Sequence, residues 1–419
     1  MDTNREHKKS RRWVAGFLVI VLACVLGYMA VCYHYNPEGY FTNVQGQPYY
    51  FKDDFSRAVK AQYMLDYKDE IEGVVIGGSK CGAVDTDLMT EYTGLKYYNM
   101  YLNLGNFKDY LSFTKFLAEE VGVKEISLIL SNYEVLCYDR EYRGNNYHTP
   151  ALFSGKWTDK AAEFLSWMIV DPKTLMESVK RSRKNPAGGD CLVDGRRSRR
   201  SDIRSYNRDP DAYAQYILSH YEERLELLFT GQIDDFTDVM RQNLDALVQM
   251  QAICRENDVN LRVVIGPSTM TERYRYETED FYEYCREIVE IAGEIWDFSD
   301  YNDINMNLYN YADQLHYDVE VADLMVDTMF GKDHYEGFGQ IVNRQNVDEY
   351  LDQKRADFAK LKQEYEQTGT VALQGRDDPS YIPWREEWIS SAAAEELMRP
   401  YWEGTDAGYE EEESEDELS

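Results

Sequence analysis

Polar and apolar residues run along this chain in blocks of different period, and the first block is extreme. Residues 13–33, WVAGFLVIVLACVLGYMAVCY, contain no charged side chain. As a helix rising 1.5 Å per residue they span about 30 Å, the thickness of a bilayer's hydrocarbon core. Beyond a Tyr-rich stretch, short apolar runs recur: GVVIGG (73–78), KYYNM (96–100), EISLILSN (125–132), NLRVVIGP (260–267) and EIWDFSD (294–300). Runs of this length without alternation predict strands buried on both faces, as in a parallel sheet. Before and between them the period lengthens to three and four. FSRAVKAQYMLDYKDEIE, NFKDYLSFTKFLAEEVG and DFTDVMRQNLDALVQMQAICREN predict amphipathic helices, the second ending at Gly122 and the third starting at an Asp cap. Strand and helix in alternation predict an α/β, doubly wound parallel sheet of about five strands.

Strands three and four lie about 127 residues apart, far more than one crossover needs. An inserted helical cap is therefore expected over 137–225, containing WTDKAAEFLSWMIV and TLMESVKRSRK, within a domain spanning 34–340. Residues 341–402 predict a helical C-terminal extension, carried by VDEYLDQKRADFAKLKQEYEQ, and 403–419 an acidic, disordered tail. No internal repeat is visible.

Charge refines this plan. The chain carries 45 Lys+Arg against 76 Asp+Glu, a formal net charge of -31. Such acidity argues against nucleic acid as a partner, because phosphate binding needs a basic footprint. Yet residues 1–12 hold five basic and two acidic residues, +3, which leaves -34 on the rest. A basic flank stays cytoplasmic, so 13–33 predict a membrane anchor with the bulk of the chain outside the cytoplasm. No small-x-small cleavage site follows the run, which favours an uncleaved anchor over a signal peptide. Val21-Leu22-Ala23-Cys24 loosely matches a lipoprotein box, and Ser10-Arg11-Arg12 a twin-arginine signal. A second basic island, nine Lys/Arg against three Asp over 180–204, is either a solvated loop or a contact for anionic headgroups or a cell-wall polyanion. The seven cysteines match neither a disulfide framework nor a paired zinc pattern.

Two places carry chemistry. The first strand stops at Gly77-Gly78-Ser79, leaving Ser79 at the carboxyl edge of the sheet, where doubly wound folds hold their ligands. This is no α/β-hydrolase elbow, which needs Gly two residues after the serine; Cys81 stands there. After the last strand, NYADQLHYD places Asp313 three residues before His316 at the start of a helix. On a helical turn the carboxylate can orient the imidazole to accept a serine proton.

With Ser after the first strand and Asp-x-x-His after the last, the sequence resembles the SGNH (GDSL-like) hydrolase superfamily. The resemblance covers about 70–135 and 255–330, roughly a third of the chain. It implies a flavodoxin-like sheet with Ser79, Asp313 and His316 as catalytic residues. It further implies an oxyanion site built from Ser79, Gly105 (or neighbouring Asn103) in YYNMYLNLGNF, and the Asn132 side chain in LILSNYE. Two departures stand out: Gly77-Gly78-Ser79 lacks the family's acidic residue, and Ser131-Asn132-Tyr133 replaces its Gly-x-Asn-Asp. These point to the membrane-anchored cell-envelope branch, similar to the D-alanyl transfer protein DltD and the alginate O-acetylation proteins.

The implied activity is ester hydrolysis or O-acyl transfer on a cell-envelope polysaccharide or teichoic-acid-like polymer, without cofactor or metal. Asn103, Tyr133 and His148 are the substrate-binding candidates. Two other readings compete: a catalytically inactive scaffold for a membrane acyltransferase, and a glycan-binding module built on the tyrosines. Asp297 and Asp300 are candidates for capping the fifth strand, and the cysteines for buried packing.

Overall fold

The computed structural model describes residues 3–37, 39–41, 56–138, 151–184, 194–197, 210–273, 276–313 and 315–384. Along the chain run α1 (Thr3–Tyr35), α2 (Ser56–Asp66), β1 (Gly73–Gly77), α3 (Thr86–Thr93), β2 (Tyr97–Tyr101) and α4 (Phe107–Phe116). They are followed by β3 (Glu125–Ser131), α5 (Trp157–Met168), α6 (Pro172–Lys184), α7 (Pro210–Thr230), α8 (Thr237–Glu256) and β4 (Asn260–Gly266). Last come α9 (Glu279–Ala292), β5 (Glu294–Asp297), α10 (Asp303–Met306), α11 (Val319–Met329), β6 (Gln340–Asn343) and α12 (Val347–Thr368). The chain divides into two compact units: α1, α5 and α6 in one, and the sheet with the helices from α3 onward, save α5 and α6, in the other.

The sheet has the order β2-β1-β3-β4-β5-β6, parallel except for β6, which runs antiparallel to β5. Its first five strands follow the 2-1-3-4-5 order of flavodoxin-like doubly wound sheets. β1 and β2 are buried throughout and β3 nearly so, as strands covered on both faces must be. The chain steps one way from β1 to β2 and the other way from β2 to β3. Right-handed crossovers then put α3 and α4 on opposite faces. α4, α8, α9 and α12 pack in series, while α3 packs against α11. The reversal opens a crevice between the carboxyl ends of β1 and β3.

β1 approaches β3 closely at that point. Gly77 stands opposite Ile129, and a Cβ on Gly77 would lie 2.2 Å from the Ile129 carbonyl oxygen. The five expected parallel strands are all present. β6 was not expected, because only Val342 of its four residues is buried and no apolar run announces it. With α12 it brings part of 341–384 into the sheet unit. The 137–225 insertion is divided: α5 and α6 belong with α1, whereas α7 packs Ile217, Tyr221, Leu225 and Leu228 among Met270, Met306, Leu308 and Val371. Residues 403–419 lie outside the described residues. α1 contains an apolar stretch, Ser10–Tyr35, long enough to cross a membrane; a signal sequence would meet the same description.

Candidate active site

Ser79 opens a short 3-10 turn, Ser79–Ala83, as soon as β1 ends. The first N–H groups of a helical turn have no acceptor within it, so the Ser79 N–H is available at the crevice. The Ser79 hydroxyl lies 2.8 Å from His316 Nε2, and His316 Nδ1 lies 2.7 Å from Asp313 Oδ2. The expected serine, histidine and carboxylate thus form one continuous hydrogen-bonded chain. His316 and Asp313 keep about 20% and 32% of their side-chain surface, so the chain of groups is open to a substrate.

The Asp313–His316 pair sits in a turn ahead of α11 rather than on its first turn. Asp313 Oδ1 accepts from the backbone N–H groups of Leu315 (2.7 Å) and His316 (2.8 Å). A Tyr311–Tyr317 bridge and the Ala312 N–H to His316 carbonyl bond (2.7 Å) close the loop. The aspartate folds the turn with one oxygen and orients the imidazole with the other. Burial pushes the Asp313 carboxyl up, but the His316 hydrogen bond, its charge and the two backbone donors outweigh this and hold it low.

The other expected groups have partners of their own. The Gly105 N–H donates to the Leu102 carbonyl at 2.8 Å. Tyr133 is buried, with its hydroxyl donating to Asp297 rather than facing the crevice. The Asn132 amide meets the Tyr276 hydroxyl, and its Oδ1 is buried without a partner. Turning the amide over lets Tyr276 donate to Oδ1 and leaves the Asn132 NH2 as the group without a partner. Asn103 lies in the loop after β2, and His148 is outside the described residues.

Asn132 belongs to an unusual turn. Asn132, Tyr133 and Glu134, none a glycine, have φ of 47°, 64° and 51°. Left-handed backbone costs about 1–2 kcal/mol per residue, so such a turn persists only where its surroundings determine it. Here Glu134 Oε1 accepts from the Ser131 N–H and the Tyr110 hydroxyl, both at 3.1 Å. Asn243 donates to the Glu134 carbonyl (2.9 Å), and Tyr284 to that of Tyr133 (3.0 Å). Behind them Asp297 accepts from Tyr133 and pairs with Lys354 at 2.9 Å, both Asp297 and Lys354 fully buried. Lys354 also donates to Tyr350 (2.7 Å) and Ser299 (3.3 Å).

Three further participants join the site, two of them invisible to motif reading. Lys80, beside the serine and nearly buried, ion-pairs with Glu272, which also accepts from Ser268 at 2.6 Å. This ties the Ser79 turn to the loop after β4. The second is Lys354, which reads in sequence as one cation of a solvated helix. The third is Asp194–Arg197, part of the basic island. Its Arg197 N–H donates to the Gly82 carbonyl (3.0 Å) on the Ser79 turn, and the Asp194 carbonyl accepts from Asn99 N–H (2.8 Å). Gly195, at φ 86°, crosses β2 so closely that a Cβ would lie 2.1 Å from the Asn99 carbonyl oxygen. Arg196 is committed to Asp85 (2.6 Å) and Asp194 (2.5 Å), whereas Arg197 has no ion pair among the described residues.

No protein-family model and no curated protein matches this sequence. Among the described residues no cluster of three His, Cys, Asp or Glu is arranged to hold a metal ion, and no disulfide joins the cysteines.

Proposed function

We propose that this chain is a membrane-anchored, extracytoplasmic serine acyl esterase or O-acyltransferase of SGNH type. One observation carries the reading: the Ser79–His316–Asp313 chain, at 2.8 and 2.7 Å, at the switch point of a doubly wound sheet. Ser79 Oγ attacks the acyl carbonyl carbon while its proton passes to His316 Nε2. The tetrahedral oxyanion is held by the Ser79 N–H and the Asn132 amide; Gly105 contributes a tight turn rather than a donor. Collapse breaks the ester bond, and the departing alkoxide takes the proton from Nε2. Water or a glycan hydroxyl then attacks the acyl-serine, gives its proton to Nε2, and the proton returns to Ser79 Oγ.

The acceptor we propose is a cell-envelope polysaccharide or teichoic-acid-like polymer. Net acidity opposes a polyanionic substrate, but Arg197, whose backbone N–H is held by the Gly82 carbonyl of the Ser79 turn, puts a cationic residue on the segment beside that turn. The cytoplasmic basic flank at 1–12 supports the topology, which a C-terminal reporter active only outside the cytoplasm would test. A second reading, a catalytically inactive scaffold for a membrane acyltransferase, draws on the engaged Gly105 N–H and on Asn132 bonded to Tyr276. Hydrolysis of p-nitrophenyl acetate by the full chain in detergent separates the two. The enzyme reading expects turnover that disappears in Ser79→Ala; turnover absent from the wild type favours the scaffold.

A further inference from the structure

α5 carries apolar side chains that stay exposed among the described residues. Its sequence is WTDKAAEFLSWM, and none of its residues is buried. Trp157, Ala161 and Leu165 recur every four residues, which places them along one side, and Ile169 follows directly at the helix end. Trp157 is 78% exposed, and Leu165 and Ile169 are each 48% exposed. In water such a stripe is a liability, and it calls for a partner.

The partner is indicated by what α5 is fastened to. The Tyr28 hydroxyl donates to the Val170 carbonyl at 2.7 Å, just past the end of α5. Tyr40 stacks on Trp167 at 4.7 Å, and Phe41 meets Phe164 edge-on at 5.8 Å. From α6, Ser178 donates to the Tyr35 carbonyl at 3.0 Å. All these contacts lie within one unit and at the end of α1 remote from its basic flank. Tyr28 precedes the last residue of α1 by seven positions, about 10 Å along the axis. Amphipathic helices lying in a membrane surface sink about 5–10 Å into the headgroup and acyl boundary.

We propose that α5 is a second membrane-contacting element, an interfacial helix lying in the bilayer surface with its Trp157–Leu165–Ile169 stripe toward the acyl chains. The exposed Lys156 and Lys160 reach the headgroups. This rests on α1 crossing the membrane. It would fix the first unit by two elements instead of one swivelling span.

The test uses the full chain in phosphatidylcholine–phosphatidylglycerol vesicles, with acyl chains plain or brominated, and tryptophan fluorescence as readout. Subtracting the spectrum of Trp157→Phe isolates Trp157, and Trp157→Phe/Leu165→Trp reports on the middle of the stripe. Both positions should lose most of their emission in brominated vesicles. Positions that stay equally bright, while Trp13 on α1 is quenched, overturn the proposal and leave the anchor standing. Positions shielded from aqueous acrylamide yet bright in brominated lipid overturn it in favour of a protein partner. Trp13 unquenched as well would sink the anchor itself.

Discussion

Asp313→Asn is the substitution whose consequence follows most directly from the geometry. Asp313 accepts three hydrogen bonds, two from backbone N–H groups and one from His316 Nδ1. Asparagine keeps a carbonyl oxygen for the backbone, so the turn survives, but it directs an NH2 group at Nδ1. Two donors cannot face each other, so the imidazole must carry its proton on Nε2. It then donates to Ser79 and can no longer take the serine proton. The same change of tautomer in a serine-protease triad lowers kcat about 10⁴-fold. At 1.36 kcal/mol per decade that is about 5 kcal/mol of lost transition-state stabilisation.

The substitution has a stability signature as well. Because the Asp313 carboxyl is held below its ordinary value, its stabilising effect is complete above the unfolded value, about 3.9, and is lost as pH falls through the folded one. Wild type and Asp313→Asn should therefore differ in urea midpoint at neutral pH and converge in acid. The assay is kcat on p-nitrophenyl acetate together with urea midpoints across that range. A kcat within tenfold of wild type, with the substituted protein folded, would refute the triad argument.

Three further outcomes follow from the same coordinates. Lys354→Met strands Asp297 without a cation in the core, and breaking such a pair costs about 3–5 kcal/mol; the denaturation midpoint should fall, and adding Asp297→Asn should recover part of the loss. Gly77→Ala forces a Cβ to 2.2 Å from the Ile129 carbonyl oxygen, so β1 must move off β3. It should cost at least the roughly 1–3 kcal/mol of ordinary overpacking and depress kcat, read by denaturation and ester turnover. Arg197→Ala should raise KM for an anionic ester and leave that for p-nitrophenyl acetate unchanged; equal effects on both esters would remove Arg197 from substrate binding.

Much of the sheet was legible because a buried parallel strand announces itself as an uninterrupted apolar run. GVVIGG and EISLILSN needed no tertiary information, whereas β6 borrows its place from β5 and leaves little trace. The Ser79, Asp313 and His316 set was legible because Ser79 follows the end of β1 and the closely spaced Asp313–His316 pair stands in the turn ahead of α11, so two short segments carry the whole set. What escaped were side chains whose meaning depends on distant partners. Tyr133 reads as a crevice aromatic until Asp297, 164 residues later, takes its hydroxyl. Lys354 looks like any lysine of a charged helix, yet it is wholly buried. Gly105 resembles a backbone donor, and only the turn to Leu102 reveals that its N–H is occupied. The left-handed turn at Asn132 has no glycine to mark it, because its surroundings rather than its residues hold it.

The central claim is that Ser79 is a nucleophile activated by His316. Treating the full chain in detergent with a fluorophosphonate and mapping the adduct by peptide mass spectrometry tests it directly. One phosphonylated residue is expected, Ser79, with labelling abolished in Ser79→Ala and strongly slowed in His316→Ala. A folded wild-type protein that takes no label, or labelling that persists in Ser79→Ala, would contradict it.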